Sequence, residues 1–374
     1  MTVKMRIGVV GGGIGGLLAG VKISDSCDVD LYEEHYSVGY PKHCTGLISE
    51  RVLNYLGSEV RNYVLNSFDN YVLIHTLRPA KELRLKFRDT IHLIDRPATE
   101  KYLSEEFQGR RGSLKLGLKV NSINSETTSL IVGDGSTLKY DVIIVAEGAR
   151  AILTKSLGMC SNVTYLVGIQ SLIKLNNDLD SPYVFFGDDI SHEFFGWAVP
   201  ANGKELIVGF ADRYVSYSRL NHLIKTYLIR KLGINELTIK EVFGGLIPIS
   251  KPCKQTLGSI IGIGDAVSVV KPLSGGGVYG IANQVKVLKE SLSSDSLELV
   301  FERYNKGLIN LITTLKIQHI LRRFISKRFN SLSNFVMKLI DSGINEITIS
   351  NYDKYVPNLL DLRNNLKIFS SFII

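Results

Sequence analysis

Residues 7–33 read IGVVGGGIGGLLAGVKISDSCDVDLYE and decide the fold of the N-terminal part of the chain. The pattern predicts a buried β-strand, a glycine-rich turn, a helix and a second strand that ends at Glu33. In such a unit Gly11 permits the tight turn, Gly13 lets the backbone approach a pyrophosphate, and Gly16 allows the helix to pack closely on the strand. N–H groups at the helix start face the phosphates, and the Glu33 carboxylate can accept both ribose hydroxyls of an adenosine. The stretch predicts a dinucleotide-binding βαβ unit, with a purely structural glycine turn as the alternative.

The size and composition are those of a globular protein with about two hydrophobic cores. The chain has 374 residues, of which 45% are hydrophobic and 21% are charged. The N-terminal apolar run is interrupted by glycines and ends too soon for a signal peptide or a membrane span. Cys27, Cys44, Cys160 and Cys253 show no CxxC spacing, which argues against a metal site and gives no indication of a disulfide framework. We therefore expect no metal and a reducing, cytoplasmic location.

The formal net charge is +8, and most of the basic excess lies in residues 301–374. One helical stripe in this region is apolar, and basic residues lie on the other side. The apolar residues are Ile317, Ile320, Leu321 and Phe324, and the basic residues are Lys316, Arg322, Arg323 and Lys327. Such a helix either packs its apolar face on the core, which is the commoner arrangement, or lies on an anionic membrane surface. The second interpretation predicts peripheral contact with the inner face of the cell membrane. The lack of zinc-finger or RNP-like motifs argues against nucleic-acid binding.

A second informative stretch reads IIGIGDAVSVVKPLSGGGVYGIA at residues 260–282. A buried strand delivers Asp265, and a Pro- and Gly-rich turn then opens into a helix. A carboxylate at a strand end can hold a ribityl hydroxyl, and N–H groups at a helix start can face the ring edge that becomes anionic when a flavin is reduced. A nicotinamide has no such need. The stretch predicts a flavin site, with a flexible turn at residues 275–277 as the alternative.

Three nucleotide-binding motifs lie far apart in the sequence, and a single domain built from all of them must contain insertions. We therefore predict an α/β protein: a Rossmann-type domain, a discontinuous strand-rich (α+β) substrate domain, and a C-terminal region whose helical pattern runs from about residue 277 to the end. The predicted ranges are 1–65, 90–160 and 250–300 for the dinucleotide domain, 66–89 and 161–249 for the substrate domain, and 301–374 for the helical region.

The motif set resembles the FAD-dependent geranylgeranyl reductase family, which has the p-hydroxybenzoate-hydroxylase-type flavoprotein fold. The matching elements are Gly11-x-Gly13-x-x-Gly16, PKHCTG at 41–46, Asp95-Arg96, Ala146-Glu147-Gly148, FGWAVP at 195–200, and Gly264-Asp265-Ala266 through Gly275–Gly277. The 195–200 motif is the most family-specific, although Phe195 and Val199 replace the family's tyrosine and phenylalanine. Two further departures are Glu147, where related flavoproteins carry aspartate, and Ala151, where they often carry serine.

The resemblance implies FAD as the cofactor, held by residues from all of these motifs. The ADP half would be held by Gly15, Glu33 and Val120, the ribityl–phosphate region by Arg96, the flavin edge by Cys44, Thr45 and Leu47, and the ribityl chain and ring by Asp265, Gly277 and Val278.

The family's reaction is the saturation of isolated double bonds in geranylgeranyl chains, which in archaea gives the chains of ether lipids. Reduced FAD delivers a hydride to one carbon while a proton reaches the other, and the protein supplies orientation and a dry apolar slot. The candidate catalytic residues are Cys44, Trp197 and Phe195. Cys44 stands beside Lys42 and His43, which favour a thiolate, but it can also be an inert buried thiol, and Trp197 can be a core anchor.

Two other functions fit the same fold. An aromatic-ring monooxygenase would use NAD(P)H and oxygen, and a non-catalytic prenyl-binding protein would not use FAD. The candidate partners are a geranylgeranyl lipid and either ferredoxin or NAD(P)H as the electron donor. No separate NAD(P)H fingerprint is present in the sequence.

Overall fold

The computed structural model describes residues 4–176, 179–234, 236–294, 296–329 and 331–354. The strands, in chain order, are β1 (Arg6–Val10), β2 (Asp28–Tyr32), β3 (Leu47–Ser49), β4 (Val64–His75), β5 (Glu82–Ile94), β6 (Ser113–Lys115), β7 (Val120–Asn124), β8 (Ser129–Val132), β9 (Thr137–Lys139), β10 (Val142–Val145), β11 (Tyr165–Leu175), β12 (Tyr183–Gly187), β13 (Ser191–Pro200), β14 (Glu205–Asp212), β15 (Leu237–Pro248), β16 (Thr256–Leu257), β17 (Ile260–Gly262) and β18 (Glu346–Ile349). The helices are α1 (Ile14–Ile23), α2 (Glu50–Leu56), α3 (Arg96–Gly109), α4 (Ile152–Ser156), α5 (Tyr217–Leu223), α6 (Val278–Ser291), α7 (Leu297–Gly307), α8 (Ile309–Phe329) and α9 (Leu332–Asp341).

The first sheet brings the three sequence motifs to one edge. Its strand order is β16-β17-β10-β1-β2-β6, and only β16 runs antiparallel to its neighbour. Strands β1, β10 and β17 are buried on both faces, which explains their nearly continuous apolar sequences. Because these parallel strands are neighbours, the residues that follow them meet at their carboxyl ends, where open α/β sheets bind ligands.

The second sheet is larger and mostly antiparallel. Its order is β15-β11-β14-β13-β12-β4-β5-β18, with β3 also paired to β5. The sheet therefore takes β3 and β18 from outside the ranges predicted for the strand-rich domain, and β5 continues past residue 89. A small antiparallel meander of β7, β8 and β9 completes the sheets of the described residues. The division of the chain into domains stays a prediction.

Two stretches differ from the secondary structure that the sequence predicts. Residues 217–231 fall in the range predicted as strands but form α5 and a following π-helical segment. Their buried leucines, Leu220, Leu223 and Leu228, pack in the same core cluster as β11 and β14 side chains, so tertiary packing decides their structure. The prediction that the chain is helical from about residue 277 onward is wrong at β18, which pairs in parallel with the edge of β5. The rest of the predicted helical tail, 355–374, lies outside the described residues.

A disulfide joins Cys160 to Cys253, although the spacing of the cysteines did not indicate one. The two residues are 93 positions apart, so no short spacing could reveal the pair. The fold brings them together because they lie just before β11 and just after β15, which are neighbouring strands. Cys27 and Cys44 are free, and none of the described helices is long and apolar enough to cross a membrane.

Candidate active site

The turn between β1 and α1 requires glycine at two positions, and at a third glycine the backbone is accessible to a ligand. Gly11 has φ +104°, and a Cβ there would lie 2.3 Å from the Ala146 carbonyl oxygen. A Cβ on Gly16 would lie 1.9 Å from the Gly11 carbonyl oxygen, so a side chain at either position collides with backbone. A Cβ on Gly13 meets no atom within 4 Å. The backbone at Gly13 is therefore open to a ligand, and the helix N–H groups beyond it face the same space.

The Glu33 carboxylate lies against this turn at the end of β2. One oxygen accepts the Gly12 N–H at 2.6 Å, and the other accepts the His35 N–H at 2.8 Å and lies 2.5 Å from His35 Nδ1. The side chain is buried, and a carboxylate has about four acceptor positions, so little capacity remains for further donors. Its predicted contact with a ribose stays a prediction.

Glu147, which departs from the family pattern, has a clear structural partner. Its carboxylate accepts the N–H of Leu153 at 2.8 Å and of Thr154 at 2.7 Å. It therefore binds the free N–H groups at the start of α4. Ala151, the other departure, precedes this helix with φ +53°.

The 41–46 loop is fixed to the second sheet through Gln170 of β11. The Gln170 side-chain oxygen accepts the Thr45 hydroxyl at 2.8 Å and the Trp197 indole N–H at 3.3 Å, and its amide nitrogen donates to the His43 carbonyl oxygen at 3.1 Å. Gln170 is almost completely buried. The sequence analysis did not single out Gln170, because one glutamine in an apolar strand belongs to no motif. The only indication was its position among the residues of β11 that alternate toward the interior.

Arg96 places a buried cation beside Cys44. It forms a salt bridge with Glu100 one helical turn along α3, and its Nε has no hydrogen-bond partner among the described residues. Burial lowers the pKa of Arg96, but its interactions with Glu100 and Cys44 raise the pKa by a larger amount. The pKa is therefore raised overall, and the guanidinium stays cationic. A buried cation with an unused donor fits a phosphate or another anionic group of a dinucleotide.

Asp265 and the start of α6 form the other side of the site. Burial raises the pKa of Asp265 to about 6, opposed by the nearby charges of Arg96 and His43. A carboxyl for which the described part of the chain provides no hydrogen-bond donor suits a hydroxyl donor from a ligand. Its Oδ1 lies 2.9 Å from the Cβ position of Gly277, and the helix begins at Val278. The residues present therefore fit the flavin that the resemblance implies.

One cavity of about 1430 Å³ joins these parts. It is lined by every predicted site residue except Gly16: Gly11, Gly13, Gly15, Glu33, Cys44, Thr45, Leu47, Arg96, Val120, Trp197, Phe195, Asp265, Gly277 and Val278. Gly16 instead packs inside the turn. The structure brings the three motifs to one space, and their individual roles stay predictions.

The other end of the cavity is apolar. It begins at stacked Phe194 and Phe195, whose ring centroids are 4.0 Å apart, with Trp197 edge-on to Phe195 at 6.2 Å. Its further walls come from β4, β5, β12, α9 and β18, at Tyr71, Leu73, Leu83, Leu85, Val184, Phe186, Phe335, Val336, Leu339 and Ile347. The walls from β4, β5, α9 and β18 were not predicted from the sequence, because these elements are distant from one another in the chain and carry no motif.

Comparison with known proteins identifies the family. No family model matches the chain. The uncharacterized protein MJ1520 of Methanocaldococcus jannaschii is 31% identical over 315 residues, which cover 80% of this chain and 79% of that protein. The digeranylgeranylglycerophospholipid reductase of Methanococcus aeolicus is 23% identical over 94% of this chain and 95% of its own length.

A solved structure extends the likeness to the whole fold. The geranylgeranyl bacteriochlorophyll reductase-like protein of Thermoplasma acidophilum superposes with a TM-score of 0.81 at 14% identity, over 98% of this chain and 99% of that one. The predicted flavoprotein fold is thereby confirmed. With the relatives named above, the resemblance drawn from the motifs is also confirmed: the chain belongs to the geranylgeranyl reductase family of FAD-dependent oxidoreductases.

Proposed function

We propose that this protein saturates isolated C=C bonds in the geranylgeranyl chains of isoprenoid lipids. The observation that carries the proposal is the single cavity with two chemically different ends. Its volume of about 1430 Å³ exceeds the roughly 300–1,000 Å³ of ordinary ligand pockets, so it has room for a cofactor and a second molecule. The polar end offers open backbone and a buried cation, and the other end offers an apolar lining suited to a prenyl chain.

Residues at the junction of the two ends have the orienting roles. When bound in reduced form, FAD supplies the hydride that the reaction requires. Phe194 and Phe195 present stacked faces that hold an alkene flat and exclude water, and Trp197 packs against their edge. Gln170 fixes the Trp197 indole relative to the 41–46 loop.

We assign proton delivery to the Cys44 thiol. Cys44 is a free, accessible cysteine that lines the cavity next to Arg96. The Cys44 Sγ proton would go to the alkene carbon that does not receive the hydride, and the thiolate left behind would take up a proton from solvent. We expect Cys44→Ser to retain bound flavin and to lower the rate of turnover. An unchanged rate would reduce Cys44 to a packing role.

The experiment that tests the function is anaerobic turnover with a dithionite-reduced enzyme and a detergent-dispersed geranylgeranyl lipid. Mass spectrometry of the extracted lipid should show a gain of two hydrogens for each reduced bond. A yellow protein with flavin absorbance excludes the non-catalytic prenyl-binding function. Oxygen-dependent gain of one oxygen atom by an aromatic substrate, with no reduction of the lipid, would instead indicate the monooxygenase.

The natural electron donor is a separate part of the proposal. Ferredoxin and NAD(P)H remain the two candidates, and the rate at which each bleaches the flavin absorbance under anaerobic conditions distinguishes them.

A further inference from the structure

We propose that the outer face of α8 seats the protein on an anionic lipid surface at the mouth of the cavity. The inference rests on the proposed function, because it names the surface from which the substrate would enter. The arrangement of the side chains on α8 supports it.

The outer face of α8 exposes a row of large apolar side chains. Ile309 is 58% exposed, Ile317 50%, Ile320 66% and Phe324 51%. The side chains that pack inward are a different set: Leu311, Leu315, Gln318, Arg322 and Ile325. The interpretation in which the apolar stripe packs on the core is therefore wrong for Ile317, Ile320 and Phe324.

The orientation of α8 is fixed by polar contacts on its inner side. Arg322, predicted on the outer basic face, is buried and donates to the carbonyl oxygens of Pro272 at 3.1 Å and Glu193 at 2.6 Å. Gln318 donates to the Lys354 carbonyl oxygen at 2.5 Å. Rotating the helix to bury the exposed row would break these bonds and leave a buried guanidinium unpaired.

The charge of the exposed face complements an anionic surface. Lys316, Arg323 and Lys327 are exposed beside the apolar row, and residues 309–329 contain no aspartate or glutamate. Apolar side chains that enter the headgroup region and basic ones that contact lipid phosphates are typical of a helix that lies in the interface. A symmetric contact between two copies of this face would instead bring like charges together.

The exposed row is continuous with the cavity. Leu321, Phe324 and Ile325 line the cavity, and Phe324 is also half exposed on the outer face. A prenyl chain leaving a bilayer under α8 therefore reaches the apolar lining without crossing a wide layer of water. This continuity favours a lipid surface over a protein partner.

The test is flotation of the flavin-loaded full chain with vesicles that contain no prenyl chains. We expect binding to phosphatidylglycerol vesicles and little binding to phosphatidylcholine vesicles. Lys316→Gln/Arg323→Gln/Lys327→Gln should weaken the binding by on the order of a hundredfold. Ile317→Ser/Ile320→Ser should weaken it by roughly tenfold. The matched control is Leu116→Ser, which removes a residue that is 41% exposed just after β6, the edge strand of the first sheet, and should change nothing.

Other outcomes would overturn the proposal. Equal binding of all variants, or no binding by the wild type, excludes α8 as the docking face. Protection of Ile320 from a photoactivated carbene label without vesicles would show that protein covers the face, and the solution mass would then separate a second copy from residues 355–374 of the same chain. Turnover in detergent is measured in parallel and should be the same for Ile317→Ser/Ile320→Ser. If the wild type shows no turnover in detergent, the proposed function is rejected. If it shows turnover but does not bind vesicles, only the docking surface is rejected.

Discussion

The two ends of the cavity are built in different ways. The cofactor end consists largely of turns that follow strands of one parallel sheet, and its fit depends on backbone that side chains would obstruct, as at Gly11 and Gly16. The apolar end consists of side chains from the second sheet and from α9, including Leu85 and Leu339. A site made of backbone demands particular residues at fixed spacing, whereas a site made of apolar side chains needs only bulk of about the right shape.

This difference predicts how the two ends respond to substitution. At the cofactor end a single methyl group should disrupt the fold or the binding of flavin. At the apolar end a larger side chain should change only the substrate.

The largest effect is expected for Gly16→Ala. The new Cβ would lie 1.9 Å from the Gly11 carbonyl oxygen, so the turn must move, at a cost of about 4 kcal/mol or more. Thermal unfolding of the apo protein should show the loss. Gly13→Ala is the matched control, since its Cβ meets nothing within 4 Å: stability should hold while flavin content falls. Equal melting temperatures for Gly16→Ala and wild type would contradict the account of the turn.

Asp265→Asn should change flavin binding and apo stability in opposite directions. The purified variant should carry less flavin, because the neutral amide oxygen of asparagine is a weaker acceptor for a hydroxyl than the carboxylate. The folded pKa of Asp265, about 6, lies above the ordinary value of 3.8, so ionisation at neutral pH costs the apo wild type stability. The variant should therefore be more stable at pH 7 by about 3 kcal/mol, and this advantage should decrease as the pH is lowered through 6 and vanish below pH 4.

Absorbance ratios and denaturant unfolding at several pH values measure these two effects. Glu126→Gln, at an exposed turn, is the control that should show neither. Full flavin occupancy in Asp265→Asn would remove Asp265 from the cofactor site.

Gln170→Leu should have a smaller effect, on turnover rather than on flavin content. It removes the acceptor of Trp197 and Thr45, and loss of this positioning should lower kcat by roughly tenfold. Because Trp197 is the only tryptophan, its fluorescence reports the lost contact directly. Gln170→Glu keeps the acceptor and should restore the emission. If Gln170→Leu changes only KM and leaves the Trp197 fluorescence normal, Gln170 has no positioning role.

An effect no larger than that of Gln170→Leu is expected for Leu85→Trp at the apolar end. The larger ring narrows the chamber, so KM for a long prenyl substrate should rise by roughly tenfold while flavin content and short substrates are unaffected. Leu77→Trp, at a residue that is exposed outside the cavity, is the control. Loss of flavin in Leu85→Trp would show that the two ends are not independent.

The same contrast explains what the sequence could predict. The sequence predicted the strands of the first sheet and the places of Glu33 and Asp265 at strand ends. It could do so because each motif contains a strand end and the turn that follows it within a few residues. The sequence did not predict the role of Gln170 or the Cys160–Cys253 disulfide, because the residues that these side chains contact are distant in sequence. The face that α8 buries was also misjudged, since both sides of the helix carry apolar residues and helical periodicity cannot choose between them.

The disulfide has a consequence for the segment that it encloses. Cys160 and Cys253, with Cα atoms 5.1 Å apart, close a covalent ring that holds β11 to β15 together with α5. A protease that cuts once inside this ring leaves both fragments attached until a reductant is added, so a nicked protein keeps its mass on a non-reducing gel.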